Sequence, residues 1–179
     1  ELGGSDPFIV CHDADINAAT TMAVQARFSN AGQTCISAKR FIIDHRIYDS
    51  FLDAFCDKTS QLICGDPLDS KTNLGPLARP DILEKCAKQF QKSTPHISIH
   101  FQQDNIPKKG WFYPATIVST ESTTCPLVTE EVFGPIAVCQ KSQSVDQAIA
   151  MANNTPFGLG ASIWSHDINH AKQICHQIN

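Results

Sequence analysis

The sequence predicts an α/β domain of three layers, with helices covering both faces of a mainly parallel sheet. Short apolar runs, which are typical of buried strands, alternate along the chain with longer segments whose apolar residues recur at helical spacing. Of the 179 residues, 42% are hydrophobic and 18% are charged, which excludes a disordered chain. A domain of this length buries enough surface to fold without disulfides or metals. We therefore expect one domain over residues 1–179.

The first part of the chain predicts two strands and two helices in alternation. Residues 8–10 predict a strand, and Asp13 or Asp15 can cap the helix that follows, which ends near residues 29–32. Residues 40–44 predict a buried strand, and the next helix begins near Tyr48 and is stopped by residues 65–67. The apolar faces of these helices contain Ile16, Ala19, Ala23 and Ala26 in the first, and Tyr48, Phe51, Leu52, Phe55, Leu62 and Ile63 in the second.

The second part continues the alternation. Pro80 opens a helix, residues 97–101 predict a strand, and residues 102–110 predict a surface loop. Apolar segments at 112–118 and 133–139 flank a loop rich in Thr and Glu. A helix around residues 145–152, a strand over 159–164 and a helix over 168–178 complete the pattern. This regular order is the main indication of a parallel sheet.

Charge and composition exclude several classes of partner. The 14 basic and 18 acidic residues are mixed along the chain and give a net charge of −4, which argues against a nucleic-acid-binding protein. No apolar run approaches the roughly 20 residues that span a bilayer, so no membrane insertion is expected. Residues 1–7 lack the features of a signal peptide. The 8 cysteines lie mostly in apolar runs without zinc-ligand spacing, which favours reduced thiols in a cytoplasmic protein.

Cys35 is the first candidate for chemistry. Gly32 and its small polar neighbours break the helix before the strand at residue 40, which places Cys35 on a tight connection with backbone N–H groups free to face a ligand. A thiolate there could attack a carbonyl group, and the N–H groups could hold the resulting oxyanion. The alternative is an unreactive buried thiol, as for the other cysteines.

Two further candidates are weaker when considered alone. Glu1 precedes two glycines that would let the backbone approach a ligand, so its carboxylate could act as a general base, or it could simply be a solvated terminal residue. His166 and His170 have i, i+4 spacing, but without a third ligand they do not predict a metal site. We expect no bound metal.

Together these segments resemble the catalytic domain of the NAD(P)-dependent aldehyde dehydrogenase family. Residues 1–4 (ELGG) match the family's glutamate box, and residues 30–35 (NAGQTC) match its nucleophile box at the required spacing. Residues 130–135 (EEVFGP) and 153–159 (NNTPFGL) match two more boxes, and shorter matches lie at residues 66–67 and 74–77. Four boxes in the same order are highly specific, and the resemblance covers essentially the whole chain.

The resemblance implies a mechanism and its residues. Cys35 would attack the aldehyde carbon, its backbone N–H would help to hold the oxyanion, and hydride transfer to NAD or NADP would leave a thioester on Cys35. Glu1 would activate the water that hydrolyses this thioester to a carboxylic acid. Glu131 would hydrogen-bond the nicotinamide ribose, Phe133 would pack near the nicotinamide, and the Leu2 backbone would lie near the cofactor.

The resemblance also suggests a substrate and a larger protein. Residues 1–10, 38–43 and 75–79 look most like bacterial succinate-semialdehyde dehydrogenases, although Ser29 stands where some of these carry an arginine for the substrate carboxylate. The nearest arginine is Arg27. We expect the family's cofactor domain and C-terminal tail to lie outside this chain, the full enzyme to be a homo-oligomer, and the chain alone to bind cofactor weakly and turn over little. The open alternatives are a non-catalytic or split-gene partner domain and a cofactor-independent cysteine esterase or acyltransferase.

Overall fold

The computed structural model describes residues 3–179, and these contain one six-stranded sheet. Its strands are β1 (Asp6–Val10), β2 (Ala38–Asp44), β3 (Ser98–Gln102), β4 (Thr116–Ser119), β5 (Ile136–Ser142) and β6 (Ser162–Trp164). They lie in the order β3-β4-β5-β2-β1-β6. Every neighbouring pair is parallel except β3 with β4, which is antiparallel. The predicted mainly parallel sheet is confirmed.

The helices fall between the strands as the sequence predicts. They are α1 (Ile16–Phe28), α2 (Tyr48–Ser60), α3 (Pro80–Ser93), α4 (Pro126–Thr129), α5 (Val145–Asn153) and α6 (Ile168–Cys175), with short 3-10 turns at Ser29–Gly32 and Thr94–His96. Asp15 caps α1 by accepting a hydrogen bond from the backbone N–H of Ala18. Asp13 instead accepts hydrogen bonds from the Ser165 hydroxyl and the Asp167 N–H, which join the start of α1 to the segment after β6.

Helices cover both faces of the sheet because successive strand residues point to opposite sides. On one face, Phe8 and Phe41 pack against the apolar side of α1 and α2, and the two rings lie 5.1 Å apart between centroids. On the other face, Ile9 and Ile42 pack against α5 and α6 in a separate apolar cluster. These are the three layers that the sequence predicts. In residues 3–179, no helix is both long and apolar enough to cross a membrane.

Some boundaries differ from the prediction. Helix α2 ends at Ser60, because the chain after it turns to pair Cys64 with Leu74 in an isolated parallel bridge and leaves Ile63 about half exposed. Helix α6 ends at Cys175 and β6 begins only at Ser162, so both are shorter than their apolar patterns. The Thr- and Glu-rich loop contains the single-turn helix α4, whose first residue is Pro126.

Candidate active site

The topology brings the sequence boxes to one edge of the sheet. Residues 3–4 precede β1, residues 30–35 precede β2, residues 130–135 precede β5 and residues 153–159 precede β6. These four strands are consecutive neighbours and all run parallel, in the order β5-β2-β1-β6. Their amino ends therefore meet at the same edge, and the boxes meet with them.

The nucleophile loop turns sharply before it reaches Cys35. Asn30, Ala31 and Gly32 have φ values of 52°, 54° and 73°, all in the left-handed region. A reciprocal pair of side-chain hydrogen bonds stabilises the turn, in which the amide groups of Asn30 and Gln33 each donate to the other's backbone carbonyl. A Cβ at position 32 would lie 2.5 Å from the carbonyl oxygen of Gly134, so only glycine fits there.

Cys35 is half-buried on the connection between this turn and β2, as the sequence predicts. The N–H of Ser37 donates to the carbonyl of Thr34 and closes a tight turn around the cysteine. Ile36, the next residue, is 62% exposed. Cys35 thus lies on a tightly turned loop and keeps part of its surface accessible to solvent.

Most of the other cysteines are ordinary protonated thiols. All eight are free, and Cys11, Cys86, Cys125 and Cys139 are buried. Burial raises the pKa of Cys11 and Cys86 to about 11 and also raises the pKa of Cys139. Cys175, on α6, is exposed.

The glycines after Glu1 pack directly against the nucleophile loop. The N–H of Gly4 donates to Oε1 of Glu131 at 3.1 Å. A Cβ on Gly4 would lie 2.3 Å from the carbonyl oxygen of Cys35, and a Cβ on Gly3 would lie 3.1 Å from both Oε2 of Glu131 and the ring of Phe157. The two glycines therefore allow the four boxes to meet, through the backbone of Cys35 and the side chains of Glu131 and Phe157. Glu1 and Leu2, predicted as a general base and a cofactor contact, lie outside the described residues.

Arg27 joins the nucleophile loop to the segment that carries Glu131 and Phe133. Its guanidinium is fully buried and donates to the Ser37 hydroxyl and to the carbonyls of Ala38, Val132 and Gly134. Burial lowers its pKa to about 10. Because these donors are engaged inside the protein, Arg27 cannot bind a substrate carboxylate, which removes it as a substitute for the arginine absent at position 29.

Two glutamines complete the frame around the site. Oε1 of Gln33 accepts a hydrogen bond from the N–H of Ala78 at 2.8 Å, which ties the loop to the segment before α3. The amide of Gln89, on α3, donates to Oε2 of Glu130 and to the carbonyl of Glu131. Glu131 and Phe133 are half-buried, so both present part of their side chains to solvent at this edge.

Lys39 is a site residue that the sequence analysis missed. It lies on β2 and is only 1% exposed, and its Nζ donates to the carbonyls of Cys35, Ser37 and Thr34 at 3.0, 3.1 and 3.4 Å. A lysine inside the apolar run of a buried strand was the available signal, because such a side chain must find oxygen partners nearby. His166 is exposed, and in residues 3–179 no three potential metal ligands lie together.

This chain is similar in sequence to known proteins. A model of the aldehyde dehydrogenase family matches residues 1–179. A succinate-semialdehyde dehydrogenase [NADP(+)] 1 of Mycobacterium tuberculosis is 42% identical over 179 residues, which are 99% of this chain and 39% of that protein. The chain therefore spans about two fifths of the length of the curated relatives that it matches.

Solved structures agree with the sequence comparison. An NAD-dependent aldehyde dehydrogenase from Sinorhizobium meliloti has a TM-score of 0.95 and 32% identity, covering 99% of this chain and 36% of that one. A betaine aldehyde dehydrogenase from Staphylococcus aureus in complex with NAD+ has a TM-score of 0.94 and 27% identity, with the same coverage of 99% and 36%.

Proposed function

This chain belongs to the aldehyde dehydrogenase family, and from that membership we propose that it is the nucleophile-bearing domain of an NAD(P)-dependent enzyme that oxidises an aldehyde to a carboxylic acid. The observation that carries the proposal is the meeting of Gly4, Glu131 and Gly134 around the loop of the half-buried Cys35. These residues are far apart in sequence, and packing alone does not require a cysteine or a carboxylate at their junction.

Cys35 is the proposed nucleophile. Its thiolate adds to the aldehyde carbon, which forms a C–S bond and moves the carbonyl π electrons onto oxygen. The N–H of Cys35 donates to that oxyanion. When bound, NAD(P)+ supplies the acceptor for the hydride that leaves this carbon. Loss of the hydride restores the C=O bond and leaves a thioester on Cys35. This thioester is more readily hydrolysed than the adduct of Cys35 with the aldehyde from which it forms.

Glu1 is the proposed general base for hydrolysis. Its carboxylate takes a proton from water, the hydroxide oxygen bonds to the thioester carbon, and the C–S bond breaks to release the carboxylic acid and the Cys35 thiolate. Support comes from Gly3 and Gly4, which pack against Glu131 and Cys35.

The proposed cofactor contacts fit the chemistry of the nicotinamide half of NAD(P). Glu131 holds one hydrogen bond, from Gly4, and a carboxylate has further lone pairs with which to accept hydrogen bonds from ribose hydroxyls. Phe133 offers a half-buried aromatic ring on the same segment. Leu2 completes the proposed set through its backbone. Both NAD and NADP remain candidates for the intact protein.

Succinate semialdehyde is the proposed substrate. The support is the 42% identity with a Mycobacterium tuberculosis protein of that name. Because Arg27 is buried and bonded to Ser37, Ala38, Val132 and Gly134, the substrate carboxylate must be recognised by another cation or by backbone N–H groups.

Steady-state kinetics of the intact protein test this function. We expect reduction of NAD+ or NADP+ with succinate semialdehyde, and a higher kcat/KM than with butanal, which has the same chain length but no carboxylate. Cys35→Ser should abolish turnover, whereas Cys175→Ser, at an exposed cysteine, should leave it unchanged. Ester hydrolysis without any cofactor-dependent oxidation would favour a cysteine esterase instead, and full activity of the Cys35→Ser variant would reject the mechanism.

A further inference from the structure

The ammonium group of Lys39 donates hydrogen bonds to three carbonyl groups of a single turn of the chain. Its Nζ lies 3.0 Å from the oxygen of Cys35, 3.1 Å from that of Ser37 and 3.4 Å from that of Thr34. The side chain is only 1% exposed, so these bonds form away from water, where a charged donor binds more strongly than at the surface. Lys39 therefore fixes the direction of three peptide groups in the nucleophile loop, two of which are adjacent.

The orientation of the carbonyls determines where the N–H groups point. In a trans peptide the C=O of one residue and the N–H of the next point in opposite directions, and the described residues contain no cis peptide. The carbonyl of Thr34 faces Lys39, so the N–H of Cys35 faces away from it. The same holds for the carbonyl of Cys35 and the N–H of Ile36. Lys39 thus holds two adjacent N–H groups on the side of the loop opposite to its own side chain.

The Cys35 carbonyl has a second close neighbour. A Cβ on Gly4 would lie 2.3 Å from this oxygen, so the backbone of Gly4 is already in close contact with it. Lys39 attracts the carbonyl and Gly4 limits its movement. The carbonyl oxygen of Cys35 therefore contacts both a cation and a glycine backbone.

Charged groups from several elements surround Lys39. Burial lowers the pKa of its ammonium to about 8, and Arg27 on α1 acts in the same direction, whereas Glu131, Asp6 on β1 and Cys35 oppose the shift. Lys39 is therefore still protonated at pH 7. A charged ammonium group binds carbonyl oxygens more strongly than a neutral donor does.

We propose that Lys39 is a positioning residue of the nucleophile loop: its hydrogen bonds to the carbonyls of Thr34 and Cys35 orient the N–H of Cys35 toward the substrate oxygen. This proposal rests on the proposed function for the role of the N–H, whereas the hold of Lys39 on the loop does not depend on any aldehyde or cofactor. Lys39 does not touch the substrate in this arrangement and acts only through the backbone of the loop.

The test follows the nucleophile loop and the kinetics of the intact protein. Hydrogen exchange of the backbone amides in residues 33–39 is measured by mass spectrometry without substrate or cofactor. We expect Lys39→Gln to speed this exchange about tenfold, because the buried carbonyls lose their charged donor. Lys39→Arg, which keeps the charge, should restore most of the protection. With succinate semialdehyde, Lys39→Gln should lower kcat while KM changes little.

A matched control separates this role from general stabilisation. Lys58, on α2, also donates to oxygens of the backbone and side chains, at Asn17 and Thr21, but at a half-buried position outside the loop. Lys58→Gln should leave the exchange of residues 33–39 and kcat unchanged. If Lys39→Gln does not fold, Lys39→Asn serves as the neutral variant. Unchanged exchange in a folded neutral variant, or no rescue by arginine, would overturn the proposal. Faster exchange in an enzyme without aldehyde oxidation would instead reject the proposed function alone.

Discussion

Oε1 of Glu131 accepts a hydrogen bond from the backbone N–H of Gly4 across 3.1 Å, although the two residues are 127 positions apart in the chain. Gly4 precedes β1 and Glu131 precedes β5, and these strands flank β2 on either side. The bond therefore spans the amino end of the strand that follows Cys35. It places a carboxylate and the nucleophile loop against the same short stretch of backbone.

Gly4→Ala should impair catalysis far more than folding. The added Cβ would lie 2.3 Å from the carbonyl oxygen of Cys35, which is a backbone atom and cannot rotate away, so the loop must shift. A displacement of about 1 Å in a reacting group can lower the rate about 100-fold, and we expect a loss of that order in kcat/KM for aldehyde oxidation. Gly75→Ala is the matched control, because its Cβ would meet only Pro67 at 3.8 Å. Equal activity of the two variants would contradict the tight contact at Gly4.

Gly134 and Cys86 should be energetically coupled. A Cβ on Gly134 would lie 2.4 Å from Sγ of the buried Cys86, so Gly134→Ala should lower the free energy of unfolding by about 1–3 kcal/mol through overpacking. Cys86→Ala removes that sulfur and leaves a small cavity, at a cost of about 1 kcal/mol.

The double variant should therefore be less destabilised than the sum of the two single changes, with a coupling of about 1 kcal/mol. Urea unfolding of the four proteins measures this difference. If the free-energy changes of the two single variants simply add, removal of the Cys86 sulfur does not relieve the strain of Gly134→Ala. The contact between positions 134 and 86 would then not be the cause of that strain.

Asp44→Asn should destabilise the fold in a pH-dependent way. The Asp44 carboxylate is 5% exposed and accepts hydrogen bonds from the backbone N–H and the guanidinium of Arg46. The side-chain hydrogen bond from Arg46 holds the pKa of Asp44 below its usual range. Loss of this arrangement should cost about 1–3 kcal/mol at pH 7, toward the lower value because Arg46 is half exposed and screened by solvent.

The pH dependence follows from the direction of that shift. Because the pKa is lower in the folded state, the carboxylate contributes its full stability above the unfolded pKa of about 4 and loses it as the pH falls through the folded value. The difference in unfolding free energy between wild type and Asp44→Asn should be fully present at about pH 5 and shrink below about pH 4. Asp49→Asn, at an 87% exposed side chain, should change stability by less than about 0.5 kcal/mol. A difference that grows below about pH 4 would contradict the assignment.

The sequence predicts the order of strands and helices well because their signals are local. Asp15 caps α1 and Pro80 begins α3, and the apolar period separates Phe8 and Phe41 from Ile9 and Ile42 on the two faces. The ends of α2, α6 and β6 are less well predicted. Their apolar patterns continue past the point at which backbone pairing stops.

The side chains that organise the site were harder to find. In the sequence Arg27 is only the arginine nearest to position 29, whereas in the fold it bonds the carbonyls of Val132 and Gly134, more than 100 residues away. Lys39 bonds a turn only a few residues before it, but the sequence does not show that this turn folds back over the strand. Such partners depend on tertiary packing, which spacing along the chain does not encode.

The anchoring of Arg27 has a consequence for tolerance to acid. Its partners are the Ser37 hydroxyl and the carbonyls of Ala38, Val132 and Gly134, and none of these oxygens gains a proton in the range where carboxylates do. An arginine held by Asp or Glu would be released as the medium acidified. Here the link between the cysteine-bearing turn and the stretch before β5 is made of groups that do not titrate. We expect this connection to outlast the surface ion pairs when the protein is acidified.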